Sequence, residues 1–424
     1  DVYKRQDKYY ASFSFRRDGS SRLSPDTRWG NFWSLSASWR LSQEKFMQSL
    51  KSVLSDLKLR ASYGVNGNLP SSYYGYQSTY TTGAFYNGKP SPWESTLGNE
   101  ELTWEKNYAL NLGLDIGLFS RVNVSLDWYT RTTKDLLMSK QLNSISGFSS
   151  LLTNVGQMRN TGVELEVRSN NIKTKDFSWT TAFNLSHNKN KILKLADLPW
   201  FVDGRYVRKE GYPFNTIYLR EYAGVDPETG SALYYDNQQD ENGNYTKNKV
   251  TDPGQASPIP LKDITPTISG GFMNTFNYKF IDLSFNLSYS FGGYSYDKAS
   301  YILQDDGYSV ISNKSTEQRR RWQKPGDITD VPRFVYGNKK GGNYNSSRAI
   351  HSTDHIRLKS LILGLNAPKA WLQKLGIGNA RIYFSGTNLL TWAAYDQYDP
   401  ELNGIVSYFT PPLKTFAFGL ELKF

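Results

Sequence analysis

An antiparallel transmembrane β-barrel segment is the fold class this 424-residue sequence predicts, on three observations. Segments of about ten residues alternate apolar and polar side chains, the pattern of a strand with lipid on one face and water on the other. The composition is aromatic but not greasy: 30 Tyr, 22 Phe and 11 Trp in a chain only 38% hydrophobic, with 34 Gly and no Cys. The connections between segments alternate long and short. Long loops on one side and short turns on the other is the asymmetry of outer-membrane barrels, whereas a soluble sandwich or propeller has no reason to sort its loops by parity.

In chain order, Lys8 to Arg17 places Tyr9, Ala11, Phe13 and Phe15 on one face. Asn31 to Arg40 sets Trp33, Leu35, Ala37 and Trp39 against serines and Arg40. Ser42 to Leu54 reads as a single amphipathic helix without a full capping box. Leu57 to Gly64 resumes alternation, and after a Tyr/Gly/Pro-rich loop Tyr108 to Leu118 is the cleanest strand, with Tyr108, Leu110, Leu112, Leu114, Ile116 and Leu118 in phase. Val122 to Arg131, Val163 to Arg168 and Phe177 to Ser186 come next. Asn242-Gly243, within a long loop, is a hairpin-turn signal. Ile268 to Tyr278 and Asp282 to Phe291 form a hairpin. Ile356 to Leu365 changes phase near Ser360, which predicts a β-bulge there. Ala380 to Leu390 precedes a closing strand in which Phe416, Phe418, Leu420, Leu422 and Phe424 share a face. That makes about twelve strands. The long connections are 18–29, 65–103, 134–159, 192–266, 293–352 and 391–411; the short ones are 41–55, 117–120, 171–175, 279–281 and 367–378.

The formal charge of +11 would permit nucleic acid, but the basic residues are scattered and the one tight run, Arg319 to Arg321, falls in a loop. Solvated loop and strand-end charge near anionic lipid accounts for them, and no nucleic-acid partner is expected. Without cysteine there is no disulfide framework, thiolate nucleophile or thiolate metal site. No apolar run approaches the ~18 residues of a membrane helix. The chain opens on Asp rather than Met, with no signal peptide. It is expected to be a fragment entered midway.

Seven stretches carry a resemblance: LKLRASYGVNGN (57–68), GNEELTWEKNYALNLGLDIGLF (98–119), RNTGVELEV (159–167), FSWTTAFNLSHNKNKI (177–192), YAGVDPETGSALYYD (222–236), RRWQKPGDITDVPR (320–333) and ARIYFSGTNLLTW (380–392). With the closing strand, they resemble the SusC/RagA family of TonB-linked outer-membrane proteins, in order over nearly the whole chain. The resemblance implies a barrel of about 22 strands filled by a plug. It also implies a SusD-like surface lipoprotein as lid, and import of glycan oligomers, or peptides in some branches, driven by TonB, ExbB and ExbD. Residues 1–424 would then be the C-terminal portion of the barrel, with the plug, TonB box and first barrel strands outside this chain. A C-terminal aromatic, here Phe424, is what the barrel-assembly machinery would recognise.

For a sugar ligand, loop aromatics would pack on its C–H faces. The candidates are Trp93, Trp200, Tyr206, Tyr222, Trp322, Tyr344 and Trp392. The competing role for each is interfacial girdle, loop packing or contact with the lid. No enzyme and no cofactor are expected, because no nucleophile-elbow motif occurs and His187, His351 and His355 are few. No metal site is expected. His351 and His355 have helical ligand spacing but lead into a strand. Asp236, Asp240 and Asn242 miss calcium-loop spacing, and Gly337 to Gly342 lacks that of a phosphate loop. The predicted role is TonB-dependent oligosaccharide uptake across the bacterial outer membrane. A passive porin of about twelve strands and a peptide importer are the alternatives within the membrane. An outer-membrane hydrolase and a soluble carbohydrate-binding β protein are those outside that class.

Overall fold

The computed structural model describes all residues except 1, 6, 196–197, 339–344, 373–375 and 408–409. It divides into two compact units, Asp1–Phe201 with Lys209–Phe214, and Val202–Arg208 with Asn215–Phe424.

The first unit is an up-and-down antiparallel meander of β1 (Val2–Arg5), β2 (Tyr9–Gly19), β3 (Trp29–Arg40), β4 (Leu54–Asn68), β5 (Glu105–Leu118), β6 (Val122–Lys134), β7 (Gln157–Lys173) and β8 (Phe177–Lys194). The second is likewise an antiparallel meander, of β9 (Ile268–Tyr278), β10 (Ile281–Phe291), β11 (His355–Asn366), β12 (Asn379–Ala393) and β13 (Thr415–Lys423). Register follows the sequence phase. Phe13 stands opposite Leu35, Leu112 opposite Trp128, and Phe384 opposite Phe418. The break expected near Ser360 is present as register shifts against both neighbours of β11.

The two faces of these strands are built oppositely. The apolar face is bare: Phe13, Leu35, Leu112, Leu363, Ile382 and Phe418 are all exposed, Phe418 at 81%. An apolar surface this continuous is costly in water and marks a face meant for lipid. The other face carries charge ladders that bridge three strands. Arg60 on β4 reaches Asp115 on β5 at 2.8 Å and Asp127 on β6 at 2.9 Å. Arg381 on β12 reaches Asp282 on β10 at 2.7 Å. Each reach crosses a glycine on the middle strand. A Cβ on Gly113 would lie 2.5 Å from the Arg60 guanidinium carbon, and one on Gly364 would lie 2.5 Å from the Asp282 carboxylate. A side chain at either position would force these charged groups to shift from their present contacts.

Three expectations need correction. Residues 42–54 are not an α-helix but two 3-10 segments, Leu41–Gln43 and Lys45–Leu50, followed by a turn. With Phe46 and Leu50 exposed, no buried stripe holds a longer helix together. Strands β7 and β8 run far beyond the expected 163–168 and 177–186. Past the apolar stretch both faces are polar and periodicity fades, while Asn188 and Asn190 donate to Asn160 across the pair at 3.2 and 2.9 Å. Strand β1, opposite Tyr9 to Ser12, lies in a stretch without alternation and was not expected.

Candidate functional site

The buried hydrophobic clusters lie in and beneath the long loops. In the first unit Leu23, Phe32, Val65, Leu102 and Trp104 form one core. Phe32 and Trp104 meet edge to face, centroids 5.1 Å apart, and the Trp104 indole donates to the Arg28 carbonyl. Gly67 admits the pair, since a Cβ there would lie 2.3 Å from the Phe32 ring. Loop 69–104 is tied to loop 135–156 through Asn154, whose amide nitrogen donates to the Thr103 and Asp135 carbonyls while its oxygen accepts from the Thr103 amide.

In the second unit the Asp226–Gly230 turn docks on Trp322. The indole N–H donates to the Pro227 carbonyl at 2.8 Å, and Gly230, at φ +68°, lies flat against the ring. Beside it Tyr222 meets Tyr234 edge to face. Arg348 sits over the Tyr222 ring at 5.6 Å and pairs with Asp306, whose side chain is fully buried. Burial pulls the Arg348 pKa down, but Asp306 outweighs it and the guanidinium is held charged. Asn242-Gly243 forms the expected turn, its amides gathered by Asp240.

A second ring of loop contacts surrounds a cavity of about 610 Å³. The strand Tyr294–Asp297 is flanked by Ile350–Ser352, antiparallel, and Gly404–Val406, parallel, so three loop segments converge there. Asp297 caps the helix Lys298–Leu303 through the Ser300 amide and accepts the Tyr395 hydroxyl at 3.1 Å. His351 stacks on Tyr395 with centroids 3.7 Å apart, and burial pushes its pKa down. Tyr398 exchanges a short hydrogen bond with Ser295, and burial pushes its phenol up to about 12. Arg357 closes the floor, donating to Asp399 at 2.8 Å and Glu401 at 2.9 Å. Tyr395, Tyr398, Gln304 and Gln397 line the space. Neutral phenols, amides and carboxylates make a wall that can stack on and hydrogen-bond a polar, uncharged oligomer.

The aromatics singled out from the sequence do not share this site. Trp93 and Trp200 are exposed in the first unit. Tyr206 packs against the core of Ile217, Leu219, Tyr296 and Ala349, with Arg208 over its ring. Tyr222 and Trp322 are engaged in the loop core around Gly230 and Arg348, and Tyr344 lies outside the described residues. Trp392 is exposed opposite Ile356, on the apolar strand face. Phe424 is exposed just past β13. His351 and His355 stand on different strands, and His355 is bonded to the Thr353 carbonyl. Among the described residues, no three of His, Asp and Glu gather as a metal site. Of Gly337 to Gly342, only Gly337 and Asn338 are described. Tyr395-Asp-Gln-Tyr398 lies two residues past the end of β12, where the strand period has ended and local sequence does not by itself mark a cavity wall. Its dense alternation of phenol, carboxylate and amide was the available signal.

Comparison with known proteins agrees with this architecture. Residues 1–253 match the family model described as TonB dependent receptor-like, beta-barrel. The chain is 33% identical to TonB-dependent receptor P3 of Formosa agariphila, covering 100% of this chain and 44% of that protein. It is 30% identical to TonB-dependent receptor SusC of Bacteroides thetaiotaomicron, over 100% of this chain and 43% of the relative. It superposes on a chain of the RagAB peptide transporter with a TM-score of 0.89 at 30% identity, covering 99% of this chain and 46% of that one. The chain thus spans less than half the length of the relatives it matches. A strand meander bare on its apolar face, long loops with cores of their own, and these matches agree: the chain belongs to the TonB-dependent receptor β-barrel family, of SusC/RagA type, and is a segment of an outer-membrane barrel.

Proposed function

We propose that this chain is the C-terminal wall of a TonB-dependent importer that takes up oligosaccharides. Its plug, TonB box and remaining barrel strands belong to the part of the protein beyond residues 1–424. The partners of the reading are a SusD-like surface lipoprotein as lid, the TonB-ExbB-ExbD complex acting through that remaining part, and the barrel-assembly machinery reading Phe424. The observation that carries the proposal is the cavity beside Tyr395 and Tyr398. Tyr395 and Tyr398, their hydroxyls bonded to Asp297 and Ser295, line the space with Gln304 and Gln397, and the remaining ring surface and the side-chain amides suit the C–H faces and hydroxyls of a sugar. The chain's role is binding and passage, not catalysis.

A peptide ligand is the second reading, favoured by the match to a chain of the RagAB peptide transporter. The same amides and carboxylates suit a peptide backbone. Titrating the full-length purified protein with a defined oligosaccharide mixture and a defined oligopeptide mixture separates the two. Tyr395→Ala with Tyr398→Ala should weaken oligosaccharide binding by about tenfold or more. Binding of peptides alone would replace the glycan reading. Unchanged binding of both in the double variant would move the site away from this cavity. Steady conductance of the protein in planar bilayers without TonB would favour a passive porin.

A further inference from the structure

The other short turns of the first unit are tight: Phe119 to Arg121 closes β5 on β6, and 174–176 closes β7 on β8. The connection between β3 and β4 is much longer, and it folds toward the apolar face. Glu44 accepts hydrogen bonds from the Tyr9 hydroxyl at 2.7 Å and the Trp39 indole at 3.2 Å, and pairs with Lys8 at 3.0 Å. Tyr9 and Trp39 are cross-strand partners in the row that continues through Ala11 and Ala37 to Phe13 and Leu35, the bare face of the sheet. Their rings stack at 6.2 Å. On the opposite face Arg40 and Ser42 hold Asp56 at 2.8 and 2.7 Å, so the backbone crosses the rim between two anchors.

Glu44 leads directly into the segment Lys45–Leu50, in which Met47 is half-buried while Phe46 and Leu50 are exposed. Phe46 is 65% exposed and Leu50 50%, and Val53 just beyond is also exposed. The Phe119 amide donates to the Val53 carbonyl at 2.7 Å, which brings a further exposed aromatic to the same rim. Lys45 and Lys51, both exposed, bracket the apolar pair. Exposed Phe and Leu between lysines, continuous with a lipid-facing surface, is the composition of a segment lying in a headgroup layer.

We infer that the β3–β4 connection is a membrane foot: Phe46 and Leu50 insert into the phospholipid leaflet at the short-turn rim, and Lys45 and Lys51 bind anionic headgroups. Glu44 is its ankle, turning the segment outward by gathering the Tyr9 and Trp39 donors. The foot fixes the depth and rotation of the first strands in the bilayer, which alternation alone leaves free to slide.

The chain has no cysteine, so single sites can be spin-labelled. In the full-length protein, with any cysteine outside this chain replaced, Phe46→Cys, Leu50→Cys, Gln43→Cys and Gln48→Cys are each labelled with a nitroxide. Each is reconstituted in vesicles of phosphatidylethanolamine with one-quarter phosphatidylglycerol. Positions 46 and 50 should show an oxygen-to-nickel-chelate accessibility ratio about fivefold above positions 43 and 48. Replacing phosphatidylglycerol by phosphatidylcholine, or Lys45→Gln with Lys51→Gln, should lower the ratio at 46 about twofold. Equal, water-like ratios at all four positions would overturn the proposal. So would protection at 46 and 50 that arises only when a periplasmic extract is added, since the occupant would then be a protein. A label at Phe13→Cys on β2 separates this failure from a wider one. If position 13 reads as lipid while 46 and 50 read as water, the foot alone is wrong; if position 13 reads as water, the lipid-facing assignment of the strand face falls with it.

Discussion

The strands and the loops of this protein solve the hydrophobic problem in opposite ways. Along the strands the large side chains point outward with no protein cover, as at Phe418, and the inward face is held by ladders such as Arg60 with Asp115 and Asp127. In the loops the order is that of a soluble protein: Tyr234, Leu102 and Ile217 are almost wholly buried, and polar groups edge the clusters. One chain thus folds for two solvents. Lipid satisfies the strand face, while the loops must bury their own apolar surface because they stand in water. The loops therefore carry buried cores of their own, which can position the wall of a cavity.

The contrast can be broken most sharply at the buried ion pair of the loop layer. Arg348→Met takes the guanidinium away from the buried Asp306 carboxylate and leaves the Gln318 amide, at 3.0 Å, as a weaker donor, with an expected local cost of about 3 kcal/mol. Hydrogen exchange should accelerate over 215–266 and 297–350 and stay unchanged in β9 and β10. Exchange that accelerates equally in the strands would mean loops and strands are one cooperative block.

The strand face is tested by Phe418→Arg in β13. In a lipid-facing position a mid-strand arginine costs about 2–4 kcal/mol, read by unfolding from lipid vesicles. The same change on a water-facing surface is nearly neutral, so a negligible effect would remove the assignment of that face to lipid.

The smallest effect sharpens the loop side. Burial pushes the Tyr398 phenol up to about 12, above the ordinary tyrosine value near 10. The folded loop layer therefore holds this proton more tightly than the unfolded chain does. Its contribution is intact below pH 10 and is lost as pH rises toward 12. Difference absorbance of the phenolate near 295 nm between the parent protein and Tyr398→Phe should show one tyrosine ionising late, together with opening of the loop layer. A difference spectrum that titrates near 10 would mean the phenol is open to water.

Legibility followed the same division. Strand phase, the hairpin at β9 and β10 and the bulge near Ser360 were readable because lipid on one side imposes a two-residue period. Gly113 and Gly364 stood in plain view at polar-phase positions, yet their purpose needs the register that sets an arginine beside one and a carboxylate beside the other. The polar extensions of β7 and β8 were missed because, beyond the apolar stretch, neither face has a preferred solvent to write a period. Trp322 and Tyr222 invited a ligand role by being aromatic and in loops, and in the fold Gly230 lies against one ring, the Pro227 carbonyl takes its indole N–H, and Arg348 sits over the other ring.

The sequence by itself determined the family, the lipid-facing rows and which connections are long, since each is written in local composition and spacing. The tertiary structure decided which loop aromatics are packed and which line a cavity. It also decided that 41–53 turns outward at Glu44, and that Tyr294–Asp297 draws three loop segments together. Those outcomes rest on contacts between residues far apart in the chain, such as Ser295 with Tyr398 and Asp306 with Arg348. Such pairings leave no period behind, because the energy of a long-range contact depends on geometry that only the folded chain supplies.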